Sequence, residues 1–125
     1  MIKEIVIENI TIGEETDESN KIVGPDSRGK ILKVFVRFSD NDRSDARLKI
    51  ITKEGEQILN IDSNEKRGIY YPRVSIESGK YGEDAFGTAK TDYFYFLNGL
   101  LVSVKMDNPG FEGRIIDKIR IIYED

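Results

Sequence analysis

The chain has 125 residues, the length of one ordinary domain, and a formal net charge of −4 at pH 7. It contains no His, Cys or Trp, which excludes the commonest general base, the thiol nucleophile, any disulfide and the usual sugar-stacking side chain. Lys and Arg are scattered among Asp and Glu, and no apolar run approaches the roughly 20 residues of a membrane span. We therefore expect a protein that is not an enzyme, holds no cofactor and binds neither nucleic acid nor membrane.

Alternating apolar and polar residues predict strands along most of the chain, and no segment has a helical period. The stretch 13–29 is polar, acidic and contains glycines, so we predict a loop or mobile arm there, and 77–91 predicts a second long loop. The Glu54-Gly55 turn predicts a hairpin between its two flanking strands. The eight predicted strands cover residues 5–12, 31–38, 48–52, 57–61, 69–76, 92–97, 100–106 and 115–123.

Three local signals refine this pattern. Pro72 cannot donate a ladder hydrogen bond, so the strand 69–76 is predicted at an edge or with a bulge. Asn98-Gly99 between two apolar runs predicts a tight hairpin. The long first and last strands are expected to pair with each other or with central neighbours. The fold prediction is an all-β, single-domain antiparallel sandwich of about eight strands over residues 1–125, of jelly-roll or Greek-key type.

The strand 31–38 has the clearest alternation. Leu32, Val34, Val36 and Phe38 are predicted to face the core, whereas Lys33 and Arg37 face water together with a lone apolar residue, Phe35.

An Asp-rich turn is the first candidate for chemistry. Asp40, Asp42 and Asp45 lie in a segment that begins with the alternate spacing of a calcium loop. The sixth and twelfth positions of an EF-hand loop would be Gly and Glu, but here they are Asp45 and Ile51. A solvated turn is one interpretation, and a calcium site that also uses a remote carboxylate is the other.

Aromatic residues near the two later loops are the second candidate. Tyr93 and Tyr95 share one face of their predicted strand, while Phe94 and Phe96 share the other. The tyrosines could fill the rim of the core, contact another subunit or stack on a sugar. If they form a contact surface, Arg73 would be a polar anchor beside them. The predicted interface residues are Tyr70, Tyr71, Arg73, Tyr93 and Tyr95.

Two segments together carry a family resemblance: Tyr70-Tyr71-Pro72-Arg73, and the aromatic run 92–104 that is followed by a turn and a closing strand. This C-terminal half resembles small β-sandwich, head-associated or capsid-decoration proteins of tailed phages and prophages. The resemblance implies a non-enzymatic virion component, assembled in the host cytoplasm, that forms homo-oligomers and contacts a capsid protein. The alternative is a carbohydrate- or calcium-binding sandwich module.

Overall fold

The computed structural model of this protein describes residues 1–13, 18–39, 46–76, 90–106 and 113–125. This part of the chain is almost entirely β-structure, and its antiparallel sheets curl into a half-barrel, which confirms the predicted all-β class. Within these described ranges, one 3-10 turn, Ser63–Glu65, lies between strands. In chain order the strands are β1 (Ile2–Ile12), β2 (Glu18–Val23), β3 (Arg28–Phe38), β4 (Ala46–Thr52), β5 (Gln57–Asp62), β6 (Arg67–Tyr70), β7 (Arg73–Ile76), β8 (Lys90–Tyr93), β9 (Tyr95–Leu97), β10 (Leu100–Met106) and β11 (Gly113–Glu124).

The strands form two larger sheets and a short ribbon. The first sheet has the order β1-β11-β3-β6, and β9 also pairs with β3. The second sheet has the order β2-β10-β4-β5, and β7 pairs with β8 as a separate two-stranded ribbon. As predicted, the first and last strands pair, and β4 and β5 form a hairpin.

One apolar cluster contains buried side chains from both larger sheets. Ile119 and Ile121 of β11 and Leu48 and Ile50 of β4 are completely buried in it. Phe96 brings β9 into the same core, where its ring meets the ring of Tyr123 edge-on with centroids 5.1 Å apart. Strand alternation therefore leaves each larger sheet with one face on the core and one outer face toward solvent.

The described residues contain more strand segments than the eight predicted, and two of the additional segments come from breaks. The predicted strand 69–76 is interrupted at Tyr71 and Pro72, where the chain passes from the first sheet into the ribbon. Pro72 lacks a backbone N–H, so the ladder ends beside it. The predicted strand 92–97 is likewise interrupted at Phe94, between the ribbon and β9.

The predicted loop or arm at 13–29 is wrong over much of its length. Residues Glu18–Val23 form β2, an edge strand of the second sheet that pairs along β10, and β3 already begins at Arg28. Only Val23 of β2 is buried. With only one buried side chain, β2 shows no apolar–polar alternation in the sequence. The strand is defined by its backbone pairing with β10, which the sequence pattern could not indicate.

The Asn98-Gly99 turn forms, but it does not make the predicted hairpin. Both residues have positive φ, 60° and 94°, as this dipeptide predicts. However, β9 pairs with β3 in the first sheet, whereas β10 pairs with β2 and β4 in the second. The turn is thus a tight crossover between sheets, and the Gly99 N–H donates to the Ser27 carbonyl at 3.1 Å.

A bulge in β3 changes which residues face the core. Ile31 pairs with Tyr123 and Lys33 with Ile122, so Leu32 is an additional residue on β3. Ile31 is therefore fully buried, and Leu32, which was predicted to face the core, is only partly buried. Beyond the bulge, Val34, Val36 and Phe38 face the core as predicted.

Candidate interaction surface

The outer face of the first sheet is a regular grid, because the strands are paired in register. We define this outer face by four rows of neighbouring side chains that cross the sheet from β1 through β11 and β3 to β6 or β9. The rows are Ile2–Glu124–Lys30–Tyr95, Glu4–Ile122–Lys33, Val6–Arg120–Phe35–Ile69 and Glu8–Lys118–Arg37–Arg67.

Apolar side chains lie near the centre of this outer face. Val6 and Ile69 are 45% and 53% exposed, and Phe35 and Ile122 between them are partly buried. A shallow depression of about 240 Å³ is lined by Phe35, Ile69 and Ile122 together with the cations Lys33 and Arg120. Such a patch with a polar rim is typical of a surface that another molecule covers. Among these residues, only Phe35 is marked out by the sequence pattern, as an apolar residue on a polar strand face.

An ion pair fixes the β1 side of the patch. The Arg120 guanidinium donates two hydrogen bonds to the Glu4 carboxylate, at 3.1 and 2.7 Å, across the β1–β11 pair. The hydrogen bonds from Arg120 hold the pKa of Glu4 below its ordinary value, and the same contacts raise the pKa of Arg120. Both groups are therefore ionised at neutral pH, and Arg120 lies with its neighbour Phe35 in the middle of the face.

The outer face of the second sheet has a different composition. Its middle row is entirely polar, with Asn20, Ser103, Lys49 and Asn60, and its apolar side chains are confined to one end row. A depression of about 250 Å³ on this side is lined by charged and hydroxyl groups of Glu18, Arg47, Lys49, Ser103 and Lys105. Apart from that end row, this face resembles an ordinary solvated surface, and its polar residues supply control positions for experiments on the first.

Tyr93 and Arg73, two of the predicted interface residues, contact each other. They are register partners in the ribbon, and the Arg73 guanidinium lies over the Tyr93 ring, 4.0 Å from its centroid. Lys30 approaches the same ring at 5.2 Å. Arg73 also donates hydrogen bonds to the carbonyls of Leu32, at 3.2 Å, and Pro72, at 2.7 Å. Arg73 thus fastens the ribbon to the bulge of β3, and Tyr93 is engaged within the molecule.

The other three predicted tyrosines lie in different surroundings. Tyr95 is 60% exposed at the β9 corner of the outer face, and Tyr71 is 61% exposed where β6 ends. Tyr70 is paired with the buried Val34 and packs against the core. Burial raises the pKa of Tyr70, and the nearby carboxylates of Glu65 and Asp62 add to the rise. The structure therefore places Tyr95 on the same outer face as the apolar patch and gives Tyr70 a core contact.

The metal prediction rests on Asp40, Asp42 and Asp45, and all three lie outside the described residues. Within the described ranges, no group of three or more Asp and Glu side chains could hold a metal ion. The same part of the chain contains no helix long and apolar enough to cross a membrane.

Comparison with known proteins gives a likeness in fold alone. No family model and no curated protein matches the chain. Among solved structures, the chain is similar to the crystal structure of FlhE, with a TM-score of 0.50 and 10% sequence identity. The alignment covers 100% of this chain and 97% of FlhE, so the likeness extends over the whole β architecture.

Proposed function

We propose that this protein is a non-enzymatic interaction module that binds another protein through the outer face of its first sheet. The observation that carries the proposal is the apolar patch of Val6, Phe35, Ile69 and Ile122 at the centre of that face. A partner that covers these side chains removes their apolar surface from water, and this stabilises the complex by about 25 cal/mol for each Å² buried. The rim supplies charges and the amphipathic ring of Tyr95, which suit a protein contact.

Site-specific photo-crosslinking tests this function. A photoreactive amino acid replaces Ile69 on the outer face of the first sheet or, as the control, Asn60 on the outer face of the second. In the cells that make the protein, we expect a discrete adduct of defined mass from position 69 and none from position 60. Adding Val6→Asp to the position-69 variant should weaken the adduct, because it places a carboxylate in the patch. Equal adducts at both positions, or none at position 69, would contradict the proposal.

We propose more specifically that the protein it binds belongs to a virion, and the support for this is the resemblance of residues 70–73 and 92–104 to phage head-associated proteins. Purified virions should contain this protein in a fixed ratio to the capsid protein, and Tyr95→Ala should lower the number of its copies per virion. Absence from virions would exclude this role and leave the interaction function standing. A rise in melting temperature with calcium or a glycan would instead favour the ligand-binding alternative.

A further inference from the structure

Charges are sorted across the outer face of the first sheet. Two of its carboxylates, Glu4 and Glu8, lie on β1 at one side. Cations predominate at the other side, where Lys30, Lys33 and Arg37 lie on β3 and Arg67 on β6. The face is therefore acidic along one edge and basic along the other, although the chain as a whole carries a net charge of −4.

Several of these charges are already paired within the molecule. Glu4 pairs with Arg120 at 2.7 Å, Glu8 with Lys118 at 3.8 Å and Lys30 with Glu124 at 3.4 Å. Arg67 has no carboxylate within 4.0 Å among the described residues, and it lies directly opposite Arg37 in the ladder. The Arg37 guanidinium lies 3.6 Å from the Asp117 carboxylate. Like charges in directly opposed positions destabilise a sheet, so an external carboxylate at Arg67 would relieve that repulsion.

We propose that this face binds a second copy of itself about a two-fold axis parallel to the strands; the inference rests on the proposed function and names its partner. Rotation about such an axis places β1 of one copy over β6 and β9 of the other, and keeps each row over the same row. Glu8 then lies opposite the partner's Arg67, and Glu124 opposite the partner's Lys30, whereas Lys118 lies opposite the partner's Arg37 as one like-charged pair. Val6 lies opposite the partner's Ile69. Ile2 faces the partner's Tyr95, and Arg120 faces the ring of the partner's Phe35, a favourable cation–π arrangement.

The other in-plane axis, perpendicular to the strands, gives a poorer match. It would place β3 over the partner's β3 with the rows reversed, so Lys30 would face the partner's Arg37 as a like-charged pair. It would also place Glu4 opposite the partner's Val6. Within the four rows, only Glu124, opposite the partner's Lys118, would then face an opposite charge, against two such pairs for the axis along the strands. The sorted charges therefore favour the axis along the strands, because an isologous contact needs a surface that is complementary to itself.

The size of the face indicates a weak dimer. Strand spacings of about 4.8 Å and a rise of about 3.4 Å per residue give the four rows an area of about 500 Å² on each copy. The total is at most about 1,000 Å², which lies at the low end for specific interfaces. Curling of the sheets draws the two edges away from the partner, so the long Arg67 side chain is suited to span the remaining gap. We expect dissociation constants in the micromolar range or above and a marked dependence on salt.

Complementary charge reversals test both the partner and the axis. Sedimentation equilibrium is measured from about 1 µM to about 1 mM for the wild type, Glu8→Arg, Arg67→Glu and an equimolar mixture of the two variants. Each variant alone should dimerise at least about tenfold more weakly, since both contacts become repulsive. The mixture should recover, because a mixed dimer pairs the two introduced, opposite charges in one contact and keeps the native Glu8–Arg67 pair in the other. Lys49→Glu on the second sheet is the control and should dimerise like the wild type.

Every outcome decides the inference. Recovery in the mixture supports the two-fold contact along the strands. If both variants dimerise more weakly and the mixture does not recover, the proposed axis is wrong. If the wild type is a dimer and neither variant changes its dissociation constant, the outer face is not the contact. A wild type that stays monomeric overturns the second copy as the partner, while the crosslink at position 69 still reports on any other protein. Thermal melting of each variant confirms that all of them fold.

Discussion

At the scale of single residues, Gly99 is a position where the backbone leaves no room for a side chain. A Cβ there would lie 2.6 Å from the Val23 carbonyl oxygen and 2.9 Å from that of Gly24, and φ is +94°. We expect Gly99→Ala to lower the free energy of unfolding by about 2 kcal/mol or more, through strain and through displacement of the β2–β3 connection. Urea denaturation measures the loss.

Gly55 provides a matched control for Gly99. Its φ is also +94°, but a Cβ there would meet no atom within 4 Å. Gly55→Ala should therefore cost only the conformational strain, about 1 kcal/mol. Equal losses for the two variants would mean that the crossover at Gly99 does not pack against the Val23 carbonyl as described.

The Glu4–Arg120 pair makes a prediction about pH. Because hydrogen bonding from Arg120 lowers the pKa of Glu4 in the folded protein, the pair stabilises the fold above the ordinary carboxyl pKa of 4.5. That contribution is lost as the pH falls from 4.5 through the lower folded pKa. Titration of the Glu4 carboxyl by NMR should show the depressed value, and Arg120→Met should return it toward 4.5. An unchanged midpoint in Arg120→Met would contradict the assigned cause.

At the scale of elements, the edge of β3 opposite β11 shows how the ribbon is attached. β9 pairs with β3 at residues 28–30 and β6 pairs with it at 34–37. Between these stretches the Ile31 N–H donates to the Phe94 carbonyl, and the Leu32 carbonyl accepts from Arg73. These bonds leave little of the edge available for unwanted strand pairing.

Removing the Arg73 side chain should loosen the ribbon locally. In Arg73→Ala we expect faster amide exchange in β7 and β8, because the contacts to Leu32 and Tyr93 are lost, while exchange in β1 and β11 stays unchanged. Tyr93→Phe keeps the ring beneath the guanidinium and is the control, with exchange close to that of the wild type. Uniformly faster exchange in Arg73→Ala would indicate global destabilisation rather than a local anchor.

The sequence predicted elements whose side chains alternate between core and water, and it failed where backbone geometry decides. The sequence predicted β4, β10 and the second half of β11 because their buried residues recur with period two. β2 buries only Val23, and the Asn98-Gly99 dipeptide specifies a turn without specifying which sheets its strands join. Leu32 is a further example, since the bulge changes which side chains of β3 face the core and nothing in the sequence marks its position.

The candidate surface was predictable only in part for a related reason. Tyr95 was selected by residue type, but Val6, Ile69 and Ile122 come from three separate strands and form a patch only after β1, β11, β3 and β6 are paired. Phe35 alone broke the local pattern, because it is apolar among charged neighbours on its strand. A surface built across strands is a property of register, which a single sequence does not show.

At the scale of the whole molecule, the shared core makes the two larger sheets one cooperative unit. Ile119 lies in the middle of β11, which pairs with both β1 and β3, and it is completely buried. Ile119→Ala should lower the free energy of unfolding by about 2–5 kcal/mol, because it removes buried methyl groups and leaves a cavity. A domain of this size is stable by about 5–15 kcal/mol, so the variant should still fold.

The test of cooperativity compares the sheets within that variant. Amide signals from β11 in the first sheet and from β10 in the second should lose intensity at the same urea concentration, shifted equally from the wild type. Ile69→Ala removes an exposed side chain from the first sheet and should change stability by about 0.5 kcal/mol or less. If Ile119→Ala lowered the midpoint of β11 but left that of β10 unchanged, the sheets would unfold independently. The core would then consist of two separate layers, because one continuous cluster transmits the loss of packing to every strand that borders it.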